Sequence, residues 1–172
     1  GSGTRIYARL LQEAGVFQGA EKNYAFEPAD IIQYTRPLVP ELIKLTGAPV
    51  YDPSEVPVAM ARSMRTWIAG FSDAIQRECP ASGYRRWGWK HPRNMFLAPF
   101  LDEQFPDCHF VHVVRDGRDM AFAANTGDAD AMFESILGRK RLSEIDYTEF
   151  WSAVNLQVSK WAVERLGMRY VS

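Results

Sequence analysis

The residues best placed to do chemistry are cations at the ends of short apolar segments. Lys90 follows the strand-like segment Arg86 to Trp89, and Arg115 and Arg118 follow the apolar run His109 to Val114. In an open parallel sheet, ligands lie beyond the carboxyl ends of the strands. Two cationic strand ends facing one crevice therefore imply a phosphate or sulfate site. The opening residues Gly1, Ser2, Gly3 and Thr4 pass directly into a helical pattern. A small-residue turn feeding a helix N-terminus is an anion cradle, because free N–H groups and the helix dipole converge there. Arg5 adds a cation at that mouth. The Lys of the triphosphatase loop GxxxxGK[ST] is absent, which disfavours a kinase or triphosphatase. On composition alone, the same four residues could equally be a cloning scar. Arg115 and Arg118 could also simply pair with Asp116 and Asp119 on the surface; their strand-end position favours the anion.

The elements that must hold these groups emerge from periodicity. His109 to Val114, rich in β-branched residues, reads as a strand covered on both faces. Asp116 can cap the next helix, and Gly117 relaxes the backbone between strand and helix. Residues 1–14 carry a helix whose buried stripe is Ile6, Leu10 and Leu11 with Tyr7 alongside, closed by Gly15. Residues 18–30 form a polar loop carrying Glu21 and Glu27. A helical stretch starts at Pro28, is broken by Pro37 and Pro40, and ends near Gly47; Ala48 to Tyr51 is extended. Ser54 caps a long helix over 55–79 with Met60, Met64, Trp67, Ile68, Phe71 and Ile75 at helical spacing, a pattern of core packing rather than a substrate wall. A short helix is expected near 130–138, an amphipathic helix over 147–167, and a strand at Met168 to Ser172. Alternating helices and short apolar strands give an α/β class with a mainly parallel sheet, in a single domain over 1–172.

Bulk properties narrow the function. The 172 residues are 47% hydrophobic, enough for one substantial core. With 20 basic and 21 acidic side chains, nothing suggests a polyanion-binding surface or nucleic acid, so any anion is gripped by a few placed residues. No apolar run reaches the roughly 18 residues of a membrane span, and no signal peptide is visible. Cys79 and Cys108 lack motif spacing and read as reduced thiols in a reducing compartment such as the cytoplasm. Phosphate-cradling turns of this kind ordinarily come after a buried strand, and none precedes Gly1. The chain is therefore expected to be trimmed, with its closing strand cut short as well.

The opening SGT, the Lys-x-Pro segment in the middle and FPDCHFVHVVRDGRD together resemble the sulfotransferases that use 3′-phosphoadenosine-5′-phosphosulfate (PAPS), closest in flavour to their protein-tyrosine and bacterial branches. The resemblance is clear over residues 1–21 and 86–125. It implies a three-layer fold like that of the P-loop nucleotide hydrolases, with a mainly parallel sheet flanked by helices. It also implies PAPS as donor, 3′,5′-adenosine diphosphate (PAP) as product, no metal, and a small-molecule or peptide acceptor bearing a hydroxyl or amine. Gly1, Ser2, Gly3, Thr4 and Arg5 would wrap the 5′-phosphosulfate, and Arg115 would take the 3′-phosphate with Arg118 or Asn125 in support. Gly1 stands where the family usually has Lys or Arg, Arg5 where a second Thr is common, and Ala123 where a Ser is expected. Lys90 matches the family's catalytic Lys, and two bases stay open: His91, beside Lys90, and Glu21, which resembles the acidic base of the protein-tyrosine branch. His109 and His112 read as satisfied core histidines. The competing reading is a non-catalytic nucleotide-binding or scaffold module on the same fold; oligomeric state is open.

Overall fold

A computed structural model describes residues 4–28, 30–122 and 127–172, so Gly1, Ser2, Gly3, Ala123 and Asn125 lie outside the described residues. Helix α1 (Thr4–Glu13) leads into strand β1 (Val16–Phe17), and Gly15, at φ 84°, makes the turn between them. Helix α2 (Ile31–Thr46) and helix α3 (Val58–Ala81) come next, then strand β2 (Arg86–Trp87) and helix α4 (Asn94–Gln104). Strand β3 (Phe110–Val111) turns into the short helix α5 (Gly117–Ala121), succeeded by α6 (Gly127–Leu137), α7 (Glu144–Leu166) and strand β4 (Tyr170–Val171).

β1 pairs parallel with β2, and β3 pairs parallel with β4. The α/β class and the parallel sense hold. The described strands nevertheless form two separate two-stranded sheets, not one continuous sheet. β3 is also shorter and more open than its sequence suggests: Val111 is 45% exposed and Val114 44%. His109 precedes β3 and is exposed, contrary to the core reading. His112 is buried, with its Nδ1 2.9 Å from the Tyr170 hydroxyl and its Nε2 3.0 Å from Asn155 Oδ1. Both nitrogens are satisfied, burial lowers the pKa of the ring, and the strand pair is pinned to α7.

The main core is built from α2, α3, α4, α6 and α7, with Val39, Leu42, Met64, Ile68, Phe100, Phe133, Phe150 and Val158 at its centre. The α3 stripe therefore packs as core. A smaller cluster of Phe17, Ile75 and Cys79 lies under β1 and β2. Both cysteines are free thiols.

Several boundaries differ for local reasons. α2 begins at Ile31 and runs through Pro37 and Pro40. The helix bonds these prolines cannot make would have gone to the carbonyls of Gln33 and Arg36, which belong to exposed residues on the solvent side of the helix. Residues 48–50 are bends and Tyr51 is irregular, so no strand forms there. Asp52, not Ser54, caps the turn before α3: its side chain accepts from the Ser54 N–H at 2.8 Å, and α3 starts only after Pro57. α7 opens earlier than its apolar pattern indicates, because Ser143 and Asp146 form a capping box. The expected stripe of α1 is largely uncovered: Ile6 is 65% exposed and Leu10 55%, while Ala8 is buried.

Gly117 has a reason other than backbone freedom. A Cβ there would sit 2.7 Å from the Trp151 ring. Gly117→Ala is accordingly expected to push α5 off α7 at a cost of about 1–3 kcal/mol. Denaturant unfolding checks this, and an unchanged midpoint would show that Trp151 yields freely.

Candidate active site

The loop before α2 is folded by its own side chains. Asn23 Oδ1 accepts from the N–H groups of Ala25 at 2.8 Å and Glu27 at 3.1 Å. The Asn23 N–H donates to the Glu27 carbonyl at 2.9 Å, and Lys22 bridges to Pro28 across the loop. Phe26 occupies the left-handed region, φ 61°, which is costly for a bulky residue. Its ring lies under the Arg9 guanidinium at 4.9 Å. This strained turn presents the Glu27 carboxylate inward.

The other half comes from β2. Its register, Val16 opposite Arg86 and Phe17 opposite Trp87, sends both chains out on one side, with Lys90 just beyond the strand. Lys90 Nζ donates to Glu27 Oε1 at 2.7 Å and to the Ala25 carbonyl at 3.2 Å. His91 Nδ1 lies 3.3 Å from Glu27 Oε2, and His91 Nε2 lies 2.9 Å from Thr35 Oγ1. The Thr35 hydroxyl spends its own hydrogen on the Ile31 carbonyl at 2.8 Å and accepts from Arg93 Nη1 at 3.2 Å. Both His91 nitrogens thus face acceptors, the arrangement of a ring that donates from each. His91 is 6% exposed, Glu27 7% and Arg93 6%. Burial alone would raise the Glu27 carboxyl, but hydrogen bonds and charge from His91 and Lys90 outweigh it and hold it at about 2. The carboxylate stays ionised at neutral pH.

Lys90 and His91 border a cavity of about 980 Å³, together with Thr4 at the mouth of α1, Gln18 after β1, Trp87 and Trp89 of the β2 segment, and Phe110 to Val113. Its size suits a nucleotide, and the cation lies at one wall. Tyr7 and Leu11 of α1 also line it, which is why the helix is not covered there.

Not every expected residue meets at this place. Lys90, His91 and Thr4 share the cavity wall. Glu21 is exposed on the loop, and the carboxylate beside Lys90 is that of Glu27. Arg5 is exposed. Arg115 bonds Asp119 at 3.3 Å, Arg118 pairs with Asp116 at 2.6 Å, and neither arginine lines the cavity. Asp116 accepts from the Arg118 N–H at 2.8 Å, so it does cap α5, and these bonds hold its carboxyl at about 2. Gly1, Ser2, Gly3 and Asn125 lie outside the described residues. Glu27, Thr35 and Arg93 carry no motif of their own. The one signal for Glu27 was Asn23 before a polar stretch, an Asx-turn pattern that fixes the backbone of the next few residues.

Among the described residues, no helix is long and apolar enough to cross a membrane, and no group of three or more His, Cys, Asp or Glu side chains could hold a metal. No curated protein and no solved structure matches the chain. A family model described as the sulfotransferase family matches residues 2–163 of 172, spanning the cluster, the cavity wall and the RDGRD turn alike. The chain belongs to the sulfotransferase family.

Proposed function

We propose that this protein transfers the sulfuryl group of PAPS to an acceptor hydroxyl or amine, with Lys90, Glu27 and His91 as the transfer centre. The observation that carries this reading is the partly buried Lys90–Glu27 pair, whose lysine borders a nucleotide-sized cavity. We take the two strand pairs to be parts of the three-layer P-loop-like arrangement that the motifs imply, and the free thiols to fit a cytoplasmic setting.

Sulfuryl transfer is an in-line displacement at sulfur. The acceptor oxygen or nitrogen bonds to sulfur as the bridging phosphate oxygen leaves, and the acceptor proton goes to a base. Lys90 is a compact, mobile point charge that can leave Glu27 and neutralise the departing oxygen. Once Lys90 has moved, Glu27 loses one of the two partners that hold its carboxyl down, and its proton affinity rises toward that of a base while His91 stays bonded to it. His91, bonded to Glu27 and to Thr35, fixes the carboxylate's direction. Glu21, exposed on the same loop, is the alternative base. Thr4 lies where the opening turn meets α1, and the turn would hold the 5′ end of the donor. Arg115 would hold the 3′-phosphate after exchanging Asp119 for it, an inexpensive swap because exposed pairs contribute about 0–1 kcal/mol.

Calorimetry with PAP is the test. Micromolar binding that weakens about tenfold in Arg115→Ala, together with transfer of labelled sulfate from PAPS to an acceptor panel, supports the enzyme. Binding without transfer to any acceptor would leave a nucleotide-binding module. No binding would leave a scaffold.

A further inference from the structure

Thr35 is 0% exposed, one turn into α2. A hydroxyl buried that deeply is costly unless it is bonded, and a Val would fill the same space. The Thr35 hydroxyl has three polar neighbours, each from a different part of the chain. It donates to the Ile31 carbonyl of its own helix at 2.8 Å, and it accepts from Nη1 of Arg93, the residue that opens α4, at 3.2 Å. The third neighbour is His91 Nε2 at 2.9 Å. The other ring nitrogen, Nδ1, lies 3.3 Å from Glu27 Oε2, an ionised oxygen that can only accept. His91 is therefore gripped at both ends: Nδ1 gives its hydrogen to Glu27, and Nε2 is taken up by the Thr35 oxygen. Although His91 borders the large cavity, neither nitrogen has a lone pair to offer a molecule that enters it.

We propose that Thr35 is a positioning residue of the transfer centre: by holding His91 Nε2 it fixes the ring as a donor to Glu27, which denies His91 the role of base and aims the Glu27 carboxylate. The inference rests on the reading of Lys90, Glu27 and His91 as that centre. Thr35 touches no reacting atom and acts only through the imidazole. Contacts run from α2 through His91 to the loop turned by Asn23 and Phe26, so the helix sets where the carboxylate points. When Lys90 moves to the leaving oxygen, His91 remains bonded to Glu27, and Thr35 keeps the ring from following. Without the hydroxyl, the ring turns more freely about its broad χ2 torsion and Nε2 regains a lone pair.

The experiment compares Thr35→Val, which keeps the shape and loses the hydroxyl, with Thr35→Ser, which keeps the hydroxyl, in the whole protein. Nitrogen NMR of the His91 ring at neutral pH reads the contact without any donor or acceptor present. In the wild type and in Thr35→Ser, Nε2 is expected to show a hydrogen-bonded signal, and in Thr35→Val that of a bare imine nitrogen. Turnover should fall about tenfold in Thr35→Val, with PAP affinity within two- to threefold of wild type, and Thr35→Ser should restore most of it. A wild-type His91 whose Nε2 already gives the bare-imine signal overturns the proposal, and this needs no variant. A Thr35→Val protein with the wild-type nitrogen signal or the wild-type kcat overturns it as well, the melting temperature showing that the fold is kept. PAP calorimetry and sulfate transfer by the wild type are read separately, so a failure here is distinguishable from failure of the sulfotransferase reading.

Discussion

Lys90→Ala is expected to lower turnover by about a hundredfold or more while leaving PAP affinity within a few-fold of wild type. The two quantities separate because of what Lys90 touches. At rest its ammonium is committed to Glu27 and the Ala25 carbonyl. Its charge is needed most when the bridging oxygen acquires negative charge, which happens only in the transition state. Stability should fall too, by about 1–3 kcal/mol, because the buried Glu27 carboxylate loses one of its partners. Lys90→Arg restores the charge but not its compactness, and is expected to recover stability more fully than rate. Steady-state kinetics beside calorimetry reads both effects. Near-normal kcat in the alanine variant would remove Lys90 from the chemistry.

Glu27→Gln is the second large effect, and it separates the two carboxylates of the loop. The amide keeps the shape and can still accept from His91, but it can neither pair with the ammonium nor take a proton. Turnover is expected to fall by about a hundredfold to ten-thousandfold, the range of a lost general base. Glu21→Gln, at an exposed position, should change it little. The reverse outcome would move the base to Glu21. Glu27→Gln also alters the acid limb of stability. The folded-state pKa of Glu27 is about 2, below its ordinary 4.5. A depressed carboxylate contributes stability that is full above the ordinary value and is lost as pH falls through the folded one. The wild-type protein should therefore lose on the order of 2–3 kcal/mol between about pH 4.5 and 2 that the Glu27→Gln variant never has. Parallel acid-unfolding curves for the two proteins would contradict this ion-pair account.

Much of the fold was legible because its signals are local. Gly15, Gly47 and Gly167 ended helices where their sequence positions indicated, and Asp116 capped α5. The α3 stripe of Met64, Ile68 and Ile75 packed as core because a 3.6-residue period is a direct image of one buried face. Strand extent was less legible. Among the described residues, the expected six-residue run pairs with a neighbouring strand only at Phe110 and Val111, with one more bond from the His112 N–H to the Val171 carbonyl, since pairing depends on a partner strand that apolar content does not specify. α1 failed for a related reason: Tyr7 and Leu11 border the cavity while Ile6 and Leu10 face outward, and periodicity does not say what a face meets.

The site divided along the same line. Lys90 could be singled out from its position after β2, a property of the local chain, and His91 only through the family resemblance. Glu27 could not, because its role depends on a turn made by Asn23 and a left-handed Phe26 that brings it to a residue 63 positions away.

The most direct measurement is a crystal structure of the complete chain with PAP bound. The 5′-phosphate is expected in the large cavity, within hydrogen-bonding distance of Lys90 Nζ, with the ammonium drawn away from Glu27 and the carboxylate turned toward the space where the acceptor enters. PAP bound elsewhere on the molecule, with the Lys90–Glu27 pair intact and side chains closed over the cavity, would contradict a transfer centre at this place.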